Sequence, residues 1–180
     1  MNKAHVNLPS FSDGKKKPKG ADHMETYVMK YKGTVTIFKV AEIERSPILE
    51  VMFETEMNAY RDLGELWSVA VLYPVMMGYT KDLKAVVATQ SVGPSFAEII
   101  QKKGELTLTQ QVKAVSSLAR IHAFGWVHGA IDLENIFYDE SCARVLFGNL
   151  GAARKTDNPD EKLFEHNALR DALKYPNTFK

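Results

Sequence analysis

Residues 128–153 read HGAIDLENIFYDESCARVLFGNLGAA, and the interpretation of the whole sequence starts from this stretch. Within it, ARVLFGN (residues 143–149) has the β-branched and aromatic residues of a short strand. Two glycine-containing loops accompany this strand, and the second loop shares residues 147–149 with it. The first loop is HGAIDLENI, residues 128–136, and the second loop is FGNLGAA, residues 147–153. These two loops hold the polar residues on which the functional interpretation depends.

Helices are predicted on both sides of this stretch. SFAEIIQKKG forms a short amphipathic helix that ends at Gly104, and either Thr107 or Thr109 can cap the next, longer helix. Downstream, EKLFEHNALRDALKY forms a charged helix. The longer helix should bury one apolar stripe, made of Leu108, Val112, Val115, Leu118 and Ile121.

The first half of the chain combines strands with one helix. TYVMKY and VTIFKVAEI flank a turn at KGT, which predicts a β-hairpin after Met24. Ser46 and Pro47 suit the N-cap and first position of a helix. Two strand-like runs follow, SVAVLYPVMMGY and LKAVVATQSV. The buried face of the helix is predicted from the spacing of Leu49, Phe53, Met57 and Tyr60.

Composition bounds the class of protein. Lys and Arg total 23 against 22 Asp and Glu, so a formal charge of +1 gives no reason to expect nucleic acid or an anionic membrane as partner. The single cysteine, Cys142, cannot form an intramolecular disulfide. No apolar run approaches the ~20 residues that cross a bilayer. We expect a soluble intracellular protein, cytoplasmic or nuclear, with no membrane partner.

Residues 1–23 are predicted to be a disordered basic arm, because they are polar and show neither helical nor strand periodicity. Within the arm, KKKPK (Lys15 to Lys19) matches a nuclear-import address, although short basic runs are also common in solvated tails. Residues 24–180 should then form the folded domain.

The order of elements and the two loops resemble the protein kinases. The first loop resembles the catalytic loop, which reads His, Arg or Gly, Asp, variable positions, then Asn before an apolar residue. The second loop resembles the turn that holds the metal-binding Asp-Phe-Gly, at the family's usual short distance downstream. The most similar group is that of small fungal and oomycete kinase-like proteins. The resemblance covers roughly residues 28–173.

This resemblance implies an α+β, minimal two-lobed protein-kinase-like fold. A small antiparallel sheet with one helix would occupy about residues 24–92, and a truncated helical lobe about residues 93–180. Only 29 residues follow Gly151, so the family's usual peptide-substrate platform is expected to be incomplete.

The register of the resemblance assigns a vestigial nucleotide site. Lys39, at the end of VTIFK, falls where the family places its phosphate-contacting lysine, and Glu56 falls where the next helix supplies the carboxylate partner. Ala88 and Gln90 fall in the strand and hinge that would face an adenine ring. Lys39 and Glu56 also fit an ordinary surface lysine and a solvated glutamate, whose pairing would contribute only ~0–1 kcal/mol.

The positions that perform chemistry in the family are changed. The catalytic Asp of the family aligns with Ala130, whose methyl group can neither orient a hydroxyl nor accept its proton. The metal-binding Asp aligns with Asn149, a neutral amide, while Asn135 matches the second metal contact. Two amides without a carboxylate make a poor site for Mg²⁺.

Other positions in and near the first loop are remnants of the family pattern. His128 matches the structural histidine and is expected to hold the loop through hydrogen bonds. Asp132 is the candidate to replace the missing base, although the family more often has Lys or Arg there. The phosphate-covering glycine loop is absent, since the hairpin contains a single glycine, Gly33.

The resemblance and its departures together predict a catalytically inactive pseudokinase, and therefore no enzyme. It would act by binding another protein, as a regulator, scaffold or decoy, including of an active kinase. The alternative is a weak or unconventional nucleotide-dependent phosphotransferase that uses Asp132 and Asn135. A nucleic-acid-associated protein acting through the lysine arm is disfavoured. We expect no resident cofactor or metal, and weak ATP and Mg²⁺ binding stays open.

Overall fold

The structure is a computed structural model that describes residues 5–10, 15–16 and 23–174. These residues form a five-stranded antiparallel sheet, two short strand pairs and four α-helices, which confirms the predicted α+β class. The chain divides into two compact units, residues 1–58 with 73–91 and residues 59–72 with 92–180. Within the described ranges, no helix is both long and apolar enough to span a membrane.

The first unit contains the five-stranded sheet. Its strands lie in the order β1-β2-β3-β5-β4, and β2 and β3 form the predicted hairpin. Lys32 and Gly33 make the turn between them at φ of 48° and 86°, and glycine adopts such angles without a steric cost. The strands are β1 (Lys15–Lys16), β2 (Met24–Tyr31), β3 (Thr34–Glu42), β4 (Pro74–Tyr79) and β5 (Lys84–Gln90).

Helix α1 (Pro47–Asp62) begins at the predicted proline. The four residues predicted for its buried face, Leu49, Phe53, Met57 and Tyr60, are all at most 4% exposed. On its outer side, Ile48 and Val51 are largely exposed. The 3.6-residue periodicity therefore located this helix and its buried face correctly.

The predicted run SVAVLYPVMMGY is a strand only from Pro74 onward. Its first half turns at Ser68, which has φ of 58° and donates its backbone N–H to the carbonyl of Val71 at 2.8 Å. Ala70 and Val71 are fully buried in this turn. Apolar residues alone did not distinguish a buried turn from a strand, because both bury the same side chains.

Parts of the predicted arm lie on the sheet. Val6 donates its backbone N–H to the carbonyl of Tyr79 at 2.7 Å, and β1 pairs with β2. Val6 and Leu8 also pack against a core cluster on one face of the sheet, formed by Phe38, Val40, Val86 and Ala88. Most of the arm, including Lys17 to Lys19 of the KKKPK run, lies outside the described residues, so its disorder stays a prediction.

The second unit begins its helices as the sequence predicts. α2 (Phe96–Lys103) starts after Ser95, and α3 (Leu108–Ala123) starts after Thr107. In each case the N-cap hydroxyl accepts a backbone N–H three residues on, and the side chain there accepts the N-cap N–H in return. Thr107, and not Thr109, is therefore the cap of the long helix. Gly104 ends α2 at φ of 86°, as expected.

The predicted stripe of α3 is only half correct. Leu118 and Ile121 are buried, but Leu108 and Val112 are 75% and 58% exposed. Small or polar residues complete the buried face, namely Gln110, Ala114 and Ser117. Small residues allow a closer approach to a neighbouring strand, which displaces the buried face from the most hydrophobic positions.

Two short strand pairs and one further helix complete the second unit. β6 (Trp126–Val127) pairs with β9 (Arg154–Lys155), and β7 (Ile136–Asp139) pairs with β8 (Arg144–Phe147). β8 is the central part of the strand predicted from ARVLFGN, and α3 packs against it. The charged helix is α4 (Pro159–Lys174).

Candidate functional site

The first loop is held by a buried histidine. His128 is fully buried, and its Nδ1 accepts the backbone N–H of Ala130 at 3.3 Å. Its Nε2 therefore carries the proton and donates it to the carbonyl of Gly148 at 2.9 Å. The ring also lies against Phe147, with 5.4 Å between centroids. These contacts are the loop-holding hydrogen bonds predicted from the sequence, and they join the first loop to the second.

Gly129 is required by the close approach of the two loops. A Cβ at this position would lie 2.1 Å from the carbonyl oxygen of Ala152, and the backbone has φ of 77°. Only glycine adopts that angle readily and leaves that space. The backbone N–H of Gly129 donates to the carboxylate of Glu165.

Three residues of the loops form a chain of amide hydrogen bonds at the positions assigned to chemistry. Asn149 donates its side-chain N–H to Oδ1 of Asn135 at 3.1 Å. Asn135 in turn donates Nδ2–H to the backbone carbonyl of Ala130 at 3.1 Å. Asn149 has φ and ψ of 59°, a left-handed conformation that asparagine tolerates better than most residues. The structure thus brings Ala130, Asn135 and Asn149 together.

Asp132 is close in sequence to these three residues, but its side chain forms a hydrogen bond with the local backbone. Its Oδ1 accepts the backbone N–H of Glu134 at 3.0 Å, which caps the single 3-10 turn Leu133–Asn135. The residue is exposed. One of its carboxylate oxygens is therefore engaged in a capping bond of the kind that Asp commonly makes.

Glu165 of α4 supports the first loop, and the sequence analysis missed it. The residue is 6% exposed. Its Oε2 accepts the backbone N–H of His128 at 2.9 Å and Nε2–H of His122 at 2.8 Å, while Oε1 accepts the backbone N–H of Gly129 at 2.6 Å. A signal was present, because Glu165 precedes the buried Leu169 and Leu173 at spacings of four and eight and so lies on the buried helix face.

The environment of Glu165 determines its charge. Burial acts to raise the pKa of this carboxyl, but the hydrogen bonds from His122 and from the backbone of His128 and Gly129 outweigh burial. The net result is a pKa below the ordinary value of 4.5. Glu165 is therefore an anion at neutral pH, which strengthens each hydrogen bond that it accepts.

The first unit contains the predicted pair of Lys39 and Glu56. Nζ of Lys39 donates to Oε1 of Glu56 at 2.5 Å and contacts Oε2 as well. The Glu56 side chain is 3% exposed and that of Lys39 is 16% exposed. The pair is therefore a buried ion pair, and the alternative of two solvated surface residues is wrong. Its role in nucleotide binding stays a prediction.

Ala88 and Gln90 lie on the other face of the sheet. In the register of β3 and β5, Lys39 lies opposite Val87, while Ala88 lies opposite Phe38. Because side chains alternate between faces along a strand, Ala88 and Gln90 point away from the face that carries Lys39. The structure therefore joins Lys39 to Glu56 but does not place Ala88 and Gln90 beside them.

The sequence is similar to that of a protein kinase. Over 98 residues, or 54% of this chain, it is 28% identical to serine/threonine-protein kinase ROP17 of Toxoplasma gondii. The matched region is 15% of the length of that kinase, so the chain spans a small part of this curated relative. No protein-family model matches the sequence. The likeness weakly suggests a kinase-like relationship and does not bear on catalytic competence.

The geometry of the loops defines what their residues can do chemically. The methyl group of Ala130 offers no lone pair to a substrate hydroxyl. Asn135 has its amide oxygen and one amide N–H occupied by Asn149 and Ala130. Asp132 is one of the two carboxylates of the first loop, and it caps a turn. Hydrogen bonds therefore join the described residues of the two loops, and Glu165 holds the backbone of the first loop.

Proposed function

We propose that this chain is a catalytically inactive kinase-like protein that acts by binding another protein, as a regulator, scaffold or decoy. The observation that carries the proposal is the hydrogen bond from Asn149 to Asn135. It joins the two positions that the kinase resemblance assigns to metal ligands. A neutral amide pair that is hydrogen-bonded to itself has no charge for a cation to neutralise, whereas the family's Asp at the position of Asn149 has one.

The donor set at these two positions differs from the one that Mg²⁺ requires. Mg²⁺ is usually bound through one or two carboxylates with octahedral geometry, and the two positions supply only amides. To bind a metal, Asn135 would have to release the amide of Asn149. These residues do not fit the ion. Loss of the family's base at Ala130 acts in the same direction.

A binding role is supported by apolar side chains that the fold leaves exposed. In the first unit, the outer face of α1 exposes Ile48 and Val51 at 73% and 63%. In the second unit, Leu163 and Phe164 of α4 are 58% and 77% exposed. Neighbouring exposed apolar residues are typical of surfaces that bind proteins. The partner itself, including an active kinase, is part of the proposal.

The proposal is tested by nucleotide binding and turnover on the purified chain. We expect no shift of the melting temperature with ATP and Mg²⁺, and no transfer of the γ-phosphate to the chain or to a generic acceptor protein. The matched variant is Asn149→Asp with Ala130→Asp, which should gain a metal-dependent thermal shift. Turnover by the unmodified chain that is abolished by Lys39→Ala would contradict the proposal.

A second candidate is an unconventional nucleotide-dependent phosphotransferase. The observation that favours it is the buried pair of Lys39 and Glu56, because this pair is what orients a phosphate-contacting lysine in the family. This candidate predicts metal-independent ATP binding that Lys39→Met weakens. It also predicts activity that depends on Asp132, which Asp132→Asn would abolish without loss of folding, since the residue is exposed.

A further inference from the structure

A basic pocket of about 200 Å³ lies in the second unit, away from the two loops described above. Three cationic side chains line it, Lys113 and Arg120 from α3 and Arg144 from β8. Ser116 adds a hydroxyl, and the apolar part of the wall comes mainly from Val69. Among the lining residues that the structure describes, none is Asp or Glu.

The sequence of α3 places its contributions to this pocket on one face. Lys113, Ser116 and Arg120 follow one another at spacings of three and four, which are neighbouring positions on a helical surface. The same face is joined to β8 by Ser117, whose hydroxyl donates to the carbonyl of Val145 at 2.7 Å. This bond is buried and brings the helix face next to Arg144.

Two hydrogen bonds hold Arg144 in the wall of the pocket. Its Nη1 donates to the carbonyl of Ser68 at 2.5 Å, and its Nη2 donates to the carboxylate of Asp139 at 3.2 Å. Its Nε is buried and has no hydrogen-bond partner among the described residues. A guanidinium already fixed at two nitrogens loses little freedom when an anion binds beside it.

The charge in this pocket is only partly balanced. Hydrogen bonds from Ser141, and then from Arg144, lower the pKa of Asp139 below 3.8 despite its burial, so Asp139 neutralises one cation at neutral pH. Within the described ranges, no hydrogen bond or ion pair joins the side chain of Lys113 or Arg120 to another residue. Two positive charges therefore stay available beside a fixed guanidinium.

We propose that this basic pocket binds the phosphate group of a phosphomonoester. A phosphomonoester carries about 1.5 to 2 negative charges at pH 7 and three acceptor oxygens, which matches the cations of Lys113 and Arg120 beside the guanidinium of Arg144. A carboxylate carries half that charge. A nucleic acid needs cations spread along several phosphates, and this pocket of 200 Å³ accommodates one such group. The phosphate comes from a phosphorylated residue of a protein or from a small phosphorylated molecule.

The experiment titrates the full chain with inorganic phosphate, with O-phosphoserine and with a phosphoserine peptide, followed by backbone amide NMR and calorimetry. Amide shifts are expected to concentrate at residues 113–120 and 143–145. Lys113→Ala combined with Arg120→Ala should weaken binding about tenfold or more, because both cations that have no partner in the pocket are removed. Acetate, which carries a single charge, should bind more weakly than phosphate.

The matched control removes two cations elsewhere on the same unit. Lys102→Ala combined with Arg170→Ala changes the net charge equally, and both residues are exposed on α2 and α4. Binding by this control should equal that of the unmodified chain. A peptide that binds much more tightly than inorganic phosphate identifies a phosphoprotein as the source, and equal affinities identify a small phosphate. Equal loss in both double variants, shifts confined to the lysine arm, or no saturable binding would overturn the proposal.

Discussion

Glu165 is the single residue whose removal should most disturb the first loop. It accepts two backbone N–H groups of that loop and the imidazole of His122, and it is almost fully buried. Glu165→Ala leaves these donors without an acceptor, which should lower the free energy of unfolding by about 3 kcal/mol. Chemical denaturation measures this change.

The control for that substitution is Glu161→Ala on the same helix. Glu161 forms an ion pair with Arg154 at 3.0 Å, but both side chains are substantially exposed. Its loss should cost only ~0–1 kcal/mol, as for other surface ion pairs. Equal costs for the two variants would show that Glu165 does not anchor the loop.

Gly129 allows a test of close approach separately from backbone strain. Gly129→Ala places a methyl group 2.1 Å from a carbonyl oxygen at φ of 77°, whereas Gly104→Ala meets open space at φ of 86°. Gly104→Ala should cost only the ~1–2 kcal/mol of a left-handed non-glycine residue. Gly129→Ala should cost clearly more in the same denaturation experiment. Similar costs would mean that the loops can separate freely.

The buried pair of Lys39 and Glu56 makes a third prediction for single residues. Lys39→Met removes the cation from a carboxylate that is 3% exposed, which should destabilise the chain by ~3 kcal/mol or more. Lys39→Met combined with Glu56→Leu should recover a large part of this loss, because no charge is left buried. A melting series on the two single variants and the double variant measures the coupling.

Lys84→Met provides the matched control in the same sheet. Lys84 forms an ion pair with Asp82 at 3.1 Å, and both side chains are more than a third exposed. Its removal should change stability by ~0–1 kcal/mol.

A double variant of Lys39 and Glu56 that is no more stable than either single variant would refute the account of a buried charge.

At the scale of elements, the helix caps separate two alternatives that the sequence left open. Both Thr107 and Thr109 precede or begin the long helix, but only Thr107 forms the reciprocal bonds with Gln110. Thr107→Ala should therefore lower stability by ~1 kcal/mol, and Thr109→Ala by a few tenths at most. Differential scanning fluorimetry distinguishes these values. An equal effect of both substitutions would count against the assigned cap.

The buried face of α3 was harder to predict than its ends. Capping depends on residues three apart, which the sequence shows directly. Burial of Ala114 and Ser117 in place of Leu108 and Val112 depends on which strand approaches the helix, and that strand is about 30 residues away in the chain. Local patterns therefore located the element but not the surface that it buries.

At the scale of the whole molecule, acid stability should depend on Glu165. Its folded-state pKa is lowered, so the folded state favours the carboxylate. This contribution to stability is complete above pH 4.5, the ordinary value, and is lost as the pH falls through the lowered folded-state value. Glu165→Gln should therefore flatten the loss of stability between pH 5 and the acid transition, measured by urea denaturation at a series of pH values.

The outcome that would contradict this prediction is an unchanged pH slope in Glu165→Gln. Asp139 also has a lowered pKa, caused first by Ser141, and titrates below 3.8. Asp139→Asn is therefore the companion variant, and it should also reduce the loss of stability as the pH falls through the lowered folded-state pKa of Asp139.

The division of the chain into two units depends on contacts that no local pattern reports. Helix α1 begins in the first unit, but residues 59–72, which include its last residues, belong to the second unit. Phe147 donates its backbone N–H to Ala70 at 2.8 Å and accepts that of Leu72 at 2.9 Å. These bonds hold the segment against β8, and they explain why the predicted strand before Pro74 is not one.

Much of this protein can be predicted from its sequence, because the relevant interactions are local. The hairpin, the start of α1 and the caps of α2 and α3 depend on neighbours within four residues. The identities of Ala130, Asn135 and Asn149 are likewise visible in the sequence, since loss of a carboxylate is a change of residue type.

The tertiary structure determines the contacts between residues that are distant in the chain. Asn149 reaches Asn135 across 14 positions, Glu165 reaches His128 across 37, and the basic pocket joins α3 to β8. The path of the backbone determines which distant residues meet. A buried N–H group also requires an acceptor, and that acceptor can come from any part of the chain. For that reason the sequence identified the residues of the two loops, whereas only the tertiary structure identified Glu165, whose carboxylate holds the first loop.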